Sequence, residues 1–240
     1  MKRRHAGFTL IELAIGLVII TLLIGGLAVP LTAQLQARRV LETQRTLEAA
    51  RDALLGYAMT HRAAGTNRHL PCPDTDTPPD GRENRNAGNC VSNGGVLPWV
   101  DLGVAPQDAW GNRLTYTVLS QYSNSQTGFN QAAPVLTDPL EMASSASLGS
   151  PDVADRVVFV VLSHGPNGRG ARSIAGIALA PPTSPDELEN TDGDRRFISR
   201  SPTRADSPSG EFDDLPIWVS HPQLIQRVCP SSSDCAPTGL

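Results

Sequence analysis

The stretch Gly7-Phe8-Thr9-Leu10-Ile11-Glu12 opens an apolar run that extends to about Val29, and the rest of the chain is interpreted from it. Three basic residues, Lys2 to Arg4, precede the run, and Glu12 is the one charged residue within it. An apolar run of about 20 residues suits a helix that spans a membrane. A carboxylate inside such a helix is costly in lipid, and therefore indicates a function.

Two ordinary explanations leave part of this stretch unaccounted for. The apolar region of a cleaved signal peptide is roughly 7–15 residues long, which is shorter than this run. A plain membrane anchor with basic residues on the inner side accounts for the run, but not for Glu12 or for the Gly7-Phe8 junction.

The residues Lys-Arg-Arg-His-Ala-Gly, followed by Phe-Thr-Leu-Ile-Glu-Leu, closely resemble the class III signal of the type IV pilin and pseudopilin superfamily. In that family a membrane peptidase cuts after the glycine and methylates the new N-terminal phenylalanine. The resemblance implies a leader at residues 1–7, cleavage between Gly7 and Phe8, and N-methylation of Phe8. It also implies that Glu12 neutralises the Phe8 amine of a neighbouring subunit, because an unpaired charge buried in a filament core is costly.

The run at residues 8–29, the expected transmembrane and filament-core helix, leads into a second helical stretch at residues 30–62. Gly25, Gly26 and Pro30 weaken or remove helical hydrogen bonds and predict a kink. Beyond the kink, apolar residues recur at the three- and four-residue spacing of an amphipathic helix, joined less regularly by three further leucines. These residues are Leu47, Ala50, Leu54 and Ala58, with Leu31, Leu35 and Leu41.

Residues 63–240 are predicted to form a periplasmic β domain. Four segments have the composition of strands: 114–119, 156–163, 173–180 and 213–220. The turn at residues 165–168 predicts that the second and third of these form a hairpin. Pro216 indicates an edge strand.

Three long segments are rich in polar and turn-forming residues and are expected to be loops: residues 65–112, 121–154 and 181–211. The order of elements predicts an α+β fold with a small antiparallel sheet packed on the long helix. The resemblance implies the same pilin-like fold. The segment Asp108-Ala109-Trp110-Gly111 also resembles the Asp-Pro-Trp-Gly segment of major pseudopilins, with Ala109 in the proline position.

Four cysteines allow three disulfide connectivities. The pairs Cys72–Cys90 and Cys229–Cys235 close the shortest loops and are favoured. An even cysteine count behind an export-type N-terminus points to an oxidising compartment.

The charge balance argues against nucleic acid as a partner. The formal charge is −4, and removal of residues 1–7 leaves 17 basic against 24 acidic side chains, or −7. A domain with this balance lacks the basic footprint of a nucleic-acid-binding protein.

The candidate catalytic and zinc motifs are incomplete, and the chain is predicted not to be an enzyme. The loop at residues 165–173 has glycine spacing typical of a phosphate loop, but it lacks the lysine and precedes an expected strand. Ser163 and His164 are neighbours on a strand, so their side chains point to opposite faces. The spacing of Cys72, Cys90, His61 and His69 does not provide the paired ligands of a zinc site.

Two groups of acidic residues are candidates for a structural calcium ion. They are Asp74, Asp76 and Asp80, and Asp192, Asp194, Asp213 and Asp214. Major pseudopilins bind calcium near the C-terminal end, so the resemblance points to the second group. Solvated turn acids are the alternative for both.

The resemblance implies a structural filament subunit, and the chain's length, loops and local disulfides are more typical of a minor pilin or minor pseudopilin than of an abundant major subunit. Such a subunit is held in the bacterial inner membrane, with its C-terminal domain in the periplasm, until it joins a periplasmic or extracellular filament. Its partners would be the prepilin peptidase/methyltransferase, other pilins or pseudopilins and, indirectly, the assembly platform protein and its ATPase. The alternatives are a type II secretion pseudopilin that drives protein export, and a filament-tip binding or adhesion module acting through residues 65–112 or 181–211.

Overall fold

The computed structural model describes residues 9–132, 136, 138–231 and 235, and for residues 23–31 it describes the backbone alone. The chain divides into two compact units, Met1–Leu41 and Glu42–Leu240. A long helix, α1 (Leu10–Thr60), contributes to both units. All other elements belong to the second unit.

The helix α1 confirms the predicted helical stretch, since both of its ends fall within two residues of the expected bounds. The backbone is helical at Gly25, Gly26 and Pro30. The predicted kink at these residues stays a prediction.

The second half of α1 buries the apolar face that the sequence predicts. Leu47, Ala50, Leu54 and Ala58 are buried, which confirms the periodicity. Leu35 and Leu41 are exposed, so assigning them to this face was wrong. The side chain of Leu31, the third of these leucines, lies outside the described residues.

The described residues of the second unit form a small antiparallel ribbon and a six-stranded sheet. The ribbon consists of β1 (Arg85–Asn86) and β2 (Asn89–Cys90). The sheet consists of β3 (Gly94–Val96), β4 (Thr115–Val118), β5 (Leu140–Ala143), β6 (Ala154–Ser163), β7 (Arg196–Ile198) and β8 (Leu215–Ser220). The short helices are α2 (Trp99–Leu102), α3 (Ser120–Ser123), α4 (Pro185–Glu189) and α5 (His221–Val228).

Strand β6 is the centre of the sheet because three strands, β4, β5 and β8, pair with it. Phe159 pairs with Val118 of β4 and with Val219 of β8. Val157 pairs with Leu140 of β5 and also with β8. Since a strand has two edges, β4 and β5 must follow one another along one edge of β6, with β8 along the other.

The sheet is mixed rather than purely antiparallel. Strand β3 pairs with the other edge of β4 and is antiparallel to it, whereas β7 pairs with the other edge of β5 and is parallel to it. The prediction of an antiparallel sheet was therefore correct for most pairs but wrong for this one.

The core lies around β6, whose residues 157–162 are all buried. A strand that is buried on both faces has a continuous apolar sequence instead of an alternating one, which explains the run RVVFVVLS. Tyr116 of β4 belongs to the same core cluster as Leu54 of α1. The Tyr116 hydroxyl donates to the Pro71 carbonyl oxygen at 3.1 Å, so this buried polar group is satisfied.

Three of the four predicted strands are confirmed as β4, β6 and β8, but the strand predicted at residues 173–180 was wrong. This segment folds back on itself: the Leu179 NH donates to Ala171 O, and Gly176 takes the left-handed conformation with φ of +79°. The predicted hairpin with β6 cannot form in this fold because both edges of β6 are occupied.

The predicted loops contain short elements that are too brief to show a period. Residues 65–112 contain β1, β2, β3 and α2. Residues 121–154 contain most of α3 and all of β5, and residues 181–211 contain α4 and β7. The two disulfides join Cys72 to Cys90 and Cys229 to Cys235, which is the favoured pairing.

Candidate functional site

Three carboxylates meet where Glu187 of α4 approaches the two residues that precede β8. Oxygen atoms of Glu187, Asp213 and Asp214 all lie within 4.8 Å of one another. Glu187 is 1% exposed and Asp214 is 2% exposed. Asp192 and Asp194, which the sequence had grouped with Asp213 and Asp214, are exposed and lie outside this cluster.

The backbone around this cluster explains its geometry. The Asp213 NH donates to Glu187 Oε1, and the Asn167 NH donates to Asp213 Oδ2, each at 3.1 Å. A Cβ atom at Gly165 would overlap both the backbone and the side-chain oxygen of Asp213, so this turn needs glycine to approach the cluster.

Burial and like charge both raise the pKa values of Asp213 and Glu187. Burial raises the pKa of Asp213 to about 7; the Asn167 NH opposes this rise, and the charges of Glu187 and Asp214 add to it. Burial also raises the pKa of Glu187, with a further contribution from Asp214. The cluster therefore favours a proton or a cation.

Two buried oxygen atoms of the cluster lack a donor. Asp213 Oδ1 and Asp214 Oδ1 accept no hydrogen bond within the described part of the chain. His164 Nδ1, which also makes no hydrogen bond within the described part of the chain, lies 3.6 Å from Asp214 Oδ1, beyond hydrogen-bonding distance. Carboxylate oxygens that lack donors fit the oxygen ligands that Ca²⁺ prefers.

The other acidic cluster consists of Asp74, Asp76 and Asp80. Its carboxylates accept hydrogen bonds within their own turns. Asp74 accepts from the backbone of Asp76 at 2.9 Å and of Gly81 at 2.6 Å, and Asp80 accepts from the Arg82 NH. These are the bonds of turn-forming acids. Calcium binding here stays a prediction.

A groove of about 660 Å³, lined by both polar and apolar groups, opens beside strand β4. Its lining includes Thr115 and Thr117 of β4, together with Asn190, Thr191 and Arg195 of the segment after α4. The sequence did not predict the groove, because its lining comes from segments that are far apart along the chain.

Ser163 and His164 do not form a nucleophile–base pair. Ser163 Oγ donates to Asp108 Oδ2 at 2.7 Å, whereas His164 Nε2 lies 3.0 Å from Thr115 Oγ1. The two side chains therefore serve different contacts, as the alternation along a strand predicts.

The segment that begins at Asp108 is held by its own carboxylate. Asp108 Oδ1 accepts from the backbone of Trp110 and of Asn112. The Ala109 NH donates to Thr43 Oγ1 of α1 at 3.2 Å. The segment thus connects α1 to the end of β6.

At the N-terminus, Thr9 and Glu12 form a capping box. The Thr9 NH donates to Glu12 Oε2 at 2.9 Å, and the Glu12 NH donates to Thr9 Oγ1 at 3.4 Å. This pattern satisfies two donors at the start of α1. The Thr-x-x-Glu spacing could have predicted it from the sequence.

The surface of α1 from Leu10 to Leu22 is apolar and exposed in the single chain. Nine large apolar side chains between Leu10 and Leu22 are each at least half exposed. Among the described residues, no helix has both the length and the mean hydropathy required to cross a membrane.

Comparison with known families identifies this end of the chain. Residues 2–28 match the model of the prokaryotic N-terminal methylation motif. The chain carries a prepilin-type signal. This motif is the signature of type IV pilins and pseudopilins. No curated protein and no solved structure shows significant similarity to the chain.

The prepilin-type signal implies processing by a prepilin peptidase, membrane insertion and pilus-like assembly with other pilins. Gly7 and Phe8, the predicted cleavage and methylation residues, lie outside the described residues. Glu12 lies within them, at the exposed start of α1.

Proposed function

We propose that the chain is a non-enzymatic structural subunit of a type IV pilus-like filament, most similar to a minor pilin or minor pseudopilin. The observation that carries this proposal is the methylation motif at residues 2–28. The peptidase cuts between Gly7 and Phe8 and methylates Phe8. The subunit stays in the bacterial inner membrane, with its domain in the periplasm, until its helix joins those of other subunits.

The exposed apolar surface of α1 supports this role. A large apolar side chain contributes roughly 2 kcal/mol when it passes from water to a fully buried position. The stretch from Leu10 to Leu22 is exposed in the single chain and would be covered by lipid before assembly and by neighbouring helices afterwards. Glu12 would then neutralise the Phe8 amine of the next subunit, which offsets the cost of burying both charges.

The same processing and assembly would serve a type II secretion pseudopilin, which is the alternative within this class. The two roles differ in their partners: a secretin and secretion ATPase in one case, and a retraction motor with other pilins in the other. Crosslinking of the subunit in its native cells, followed by identification of the bound proteins, separates them.

A second role, binding at the filament tip, is favoured by the groove beside strand β4. Its wall contains residues of the 181–211 segment, which the sequence singled out as a candidate binding loop. We also propose a structural calcium ion at Asp213 and Asp214, where the buried oxygens without donors support it.

Mass spectrometry of the mature protein tests the central proposal. We expect the N-terminus to be a methylated Phe8. A Gly7→Val variant is the control and should keep its leader. A mature N-terminus near residue 30, or an intact Met1 in the wild type, would overturn the proposal.

A further inference from the structure

His221 is the first residue of α5, and its ring contacts two other elements of the domain. The ring lies edge-to-face against Tyr122 of α3, with 6.0 Å between the ring centroids. Its Nδ1 atom lies 3.5 Å from Arg156 Nη2 of β6. Tyr122 is fully buried and His221 is partly buried. The ring therefore connects the start of α5 to both α3 and β6.

Neither nitrogen of the His221 ring has a hydrogen-bond acceptor within the described part of the chain. Nε2 is buried without a partner. Nδ1 faces the Arg156 guanidinium, which has donors but no acceptor, so the neutral ring carries its proton on Nε2. A protonated ring would hold two N–H donors without an acceptor, which is costly at a buried position.

The charges that face His221 also oppose a proton on its ring. Arg156 is a cation, and the start of a helix carries the positive end of the helix dipole. Burial raises the pKa of Tyr122 to about 12, so this side chain is neutral. Strand β8 contributes no ionisable side chain, and Arg227 at the other end of α5 is exposed. Among the described residues, no carboxylate forms an ion pair with His221 or Arg156.

Arg156 has an unusual backbone conformation. Its φ of +53° lies in the left-handed region, which residues other than glycine, asparagine and aspartate rarely adopt. It is part of β6, whose pairing with β5 and with β8 is irregular near this position. Such strain persists only where the surrounding structure enforces it. The strained residue is the one whose cation faces His221.

The two ends of α5 are held in different ways. Cys229, which follows the helix, is linked to Cys235 by a disulfide. Gln131 donates from Nε2 to Cys229 O at 3.0 Å and from its backbone NH to Cys235 O at 3.2 Å. The C-terminal end of α5 is therefore fixed covalently and by hydrogen bonds, whereas its first turn depends on the contacts of His221.

We propose that His221 is a pH-sensitive switch at the start of α5: when its ring binds a proton, the first turn of α5 separates from Tyr122 and Arg156. Burial lowers the pKa of His221 in the closed state, and the Arg156 charge lowers it further. The closed state is therefore fully stable above the pKa of an exposed histidine, about 6.5, and loses stability as the pH falls below it. The opening is local because the disulfide holds the other end of the helix.

Amide hydrogen exchange of the full chain in mild detergent, at pH 7.5 and pH 5.5 and corrected for the intrinsic exchange rate, tests the switch. We expect exchange in residues 223–228 to rise several-fold at the lower pH, with a limit of about tenfold set by an open-state pKa of about 6.5. His221→Gln keeps a polar side chain that does not bind the proton, and should remove the rise. Residues 157–162 of β6 should exchange more slowly than α5 at both pH values.

The role of Arg156 has its own test and a matched control. Arg156→Gly removes the charge and suits the left-handed backbone, so the acid-induced rise should become smaller without disappearing. Arg227→Gln, which removes an exposed cation from the same helix, should behave as the wild type does. An Arg156→Gly variant with an unchanged rise would refute the charge effect.

Three results would overturn the switch itself. They are a rise of less than twofold in the wild type, an equal rise in His221→Gln, and equal exchange rates in α5 and β6 at pH 5.5. The last result would show that acid opens the whole domain instead of the first turn of α5.

Discussion

The backbone NH of Thr9 donates to Glu12 Oε2 at 2.9 Å, so in the single chain this carboxylate closes the first turn of its own helix. The Thr9 hydroxyl donates to the same oxygen at 2.8 Å. The carboxylate that we propose neutralises a neighbouring amine therefore already has partners before assembly. Helix capping and charge pairing can be separated because they require different atoms.

Substitutions at positions 9 and 12 should affect assembly differently. Glu12→Gln keeps a side-chain oxygen for the Thr9 NH but removes the charge, so we expect normal cleavage and loss of incorporation into filaments. Thr9→Ala removes the cap at a cost of about 1 kcal/mol and keeps the charge, so this variant should still assemble. Immunoblotting of sheared filaments measures incorporation. Equal incorporation of Glu12→Gln and the wild type would refute charge pairing.

Acid should weaken the domain through His69. This residue is 6% exposed, and its Nδ1 lies 3.1 Å from an Arg85 guanidinium nitrogen. Burial lowers the pKa of His69; the Leu70 carbonyl opposes this shift, and the Arg85 charge adds to it. Below a pH of about 6.5, the unfolded chain binds a proton that the folded chain does not.

The contribution of His69 to the free energy of unfolding is therefore complete above its unfolded pKa and falls as the pH drops towards the lowered folded value. We expect the stability difference between the wild type and His69→Gln to change between about pH 7 and pH 5, with the wild type losing more. Urea unfolding of the full chain in mild detergent, repeated across this range, measures it. The exposed His61 provides the control, and an equal change of slope in His61→Gln would contradict the assignment.

The two disulfides should contribute unequally to stability. Cys72 and Cys90 are separated by 18 residues, and Cys229 and Cys235 by 6. The chain-entropy model gives about 3 kcal/mol for the first loop and about 2 kcal/mol for the second. Urea unfolding of the double alanine variants of each pair tests this order. A larger loss from the shorter loop would show that effects other than chain entropy dominate.

The sequence alone determined the features that depend on neighbouring residues. The prepilin-type signal is contiguous, from Lys2 to Ala28, and could be interpreted without a fold. The face formed by Leu47, Leu54 and Ala58 follows from helical spacing, and the burial of β6 follows from its unbroken apolar run. The disulfide pairing followed from loop length.

Only the tertiary structure decided which distant segments meet. The apolar segment at residues 173–180 has strand composition, yet it folds back on itself and cannot pair with β6, because both edges of β6 are already paired. Glu187 joins Asp213, 26 residues further along the chain, while the nearer Asp192 and Asp194 stay outside the cluster. Helical faces and turns depend on residues that are close in the sequence, so local patterns predict them. Which sheet edges stay free, and which carboxylates come close to one another, depends on the path of the whole chain.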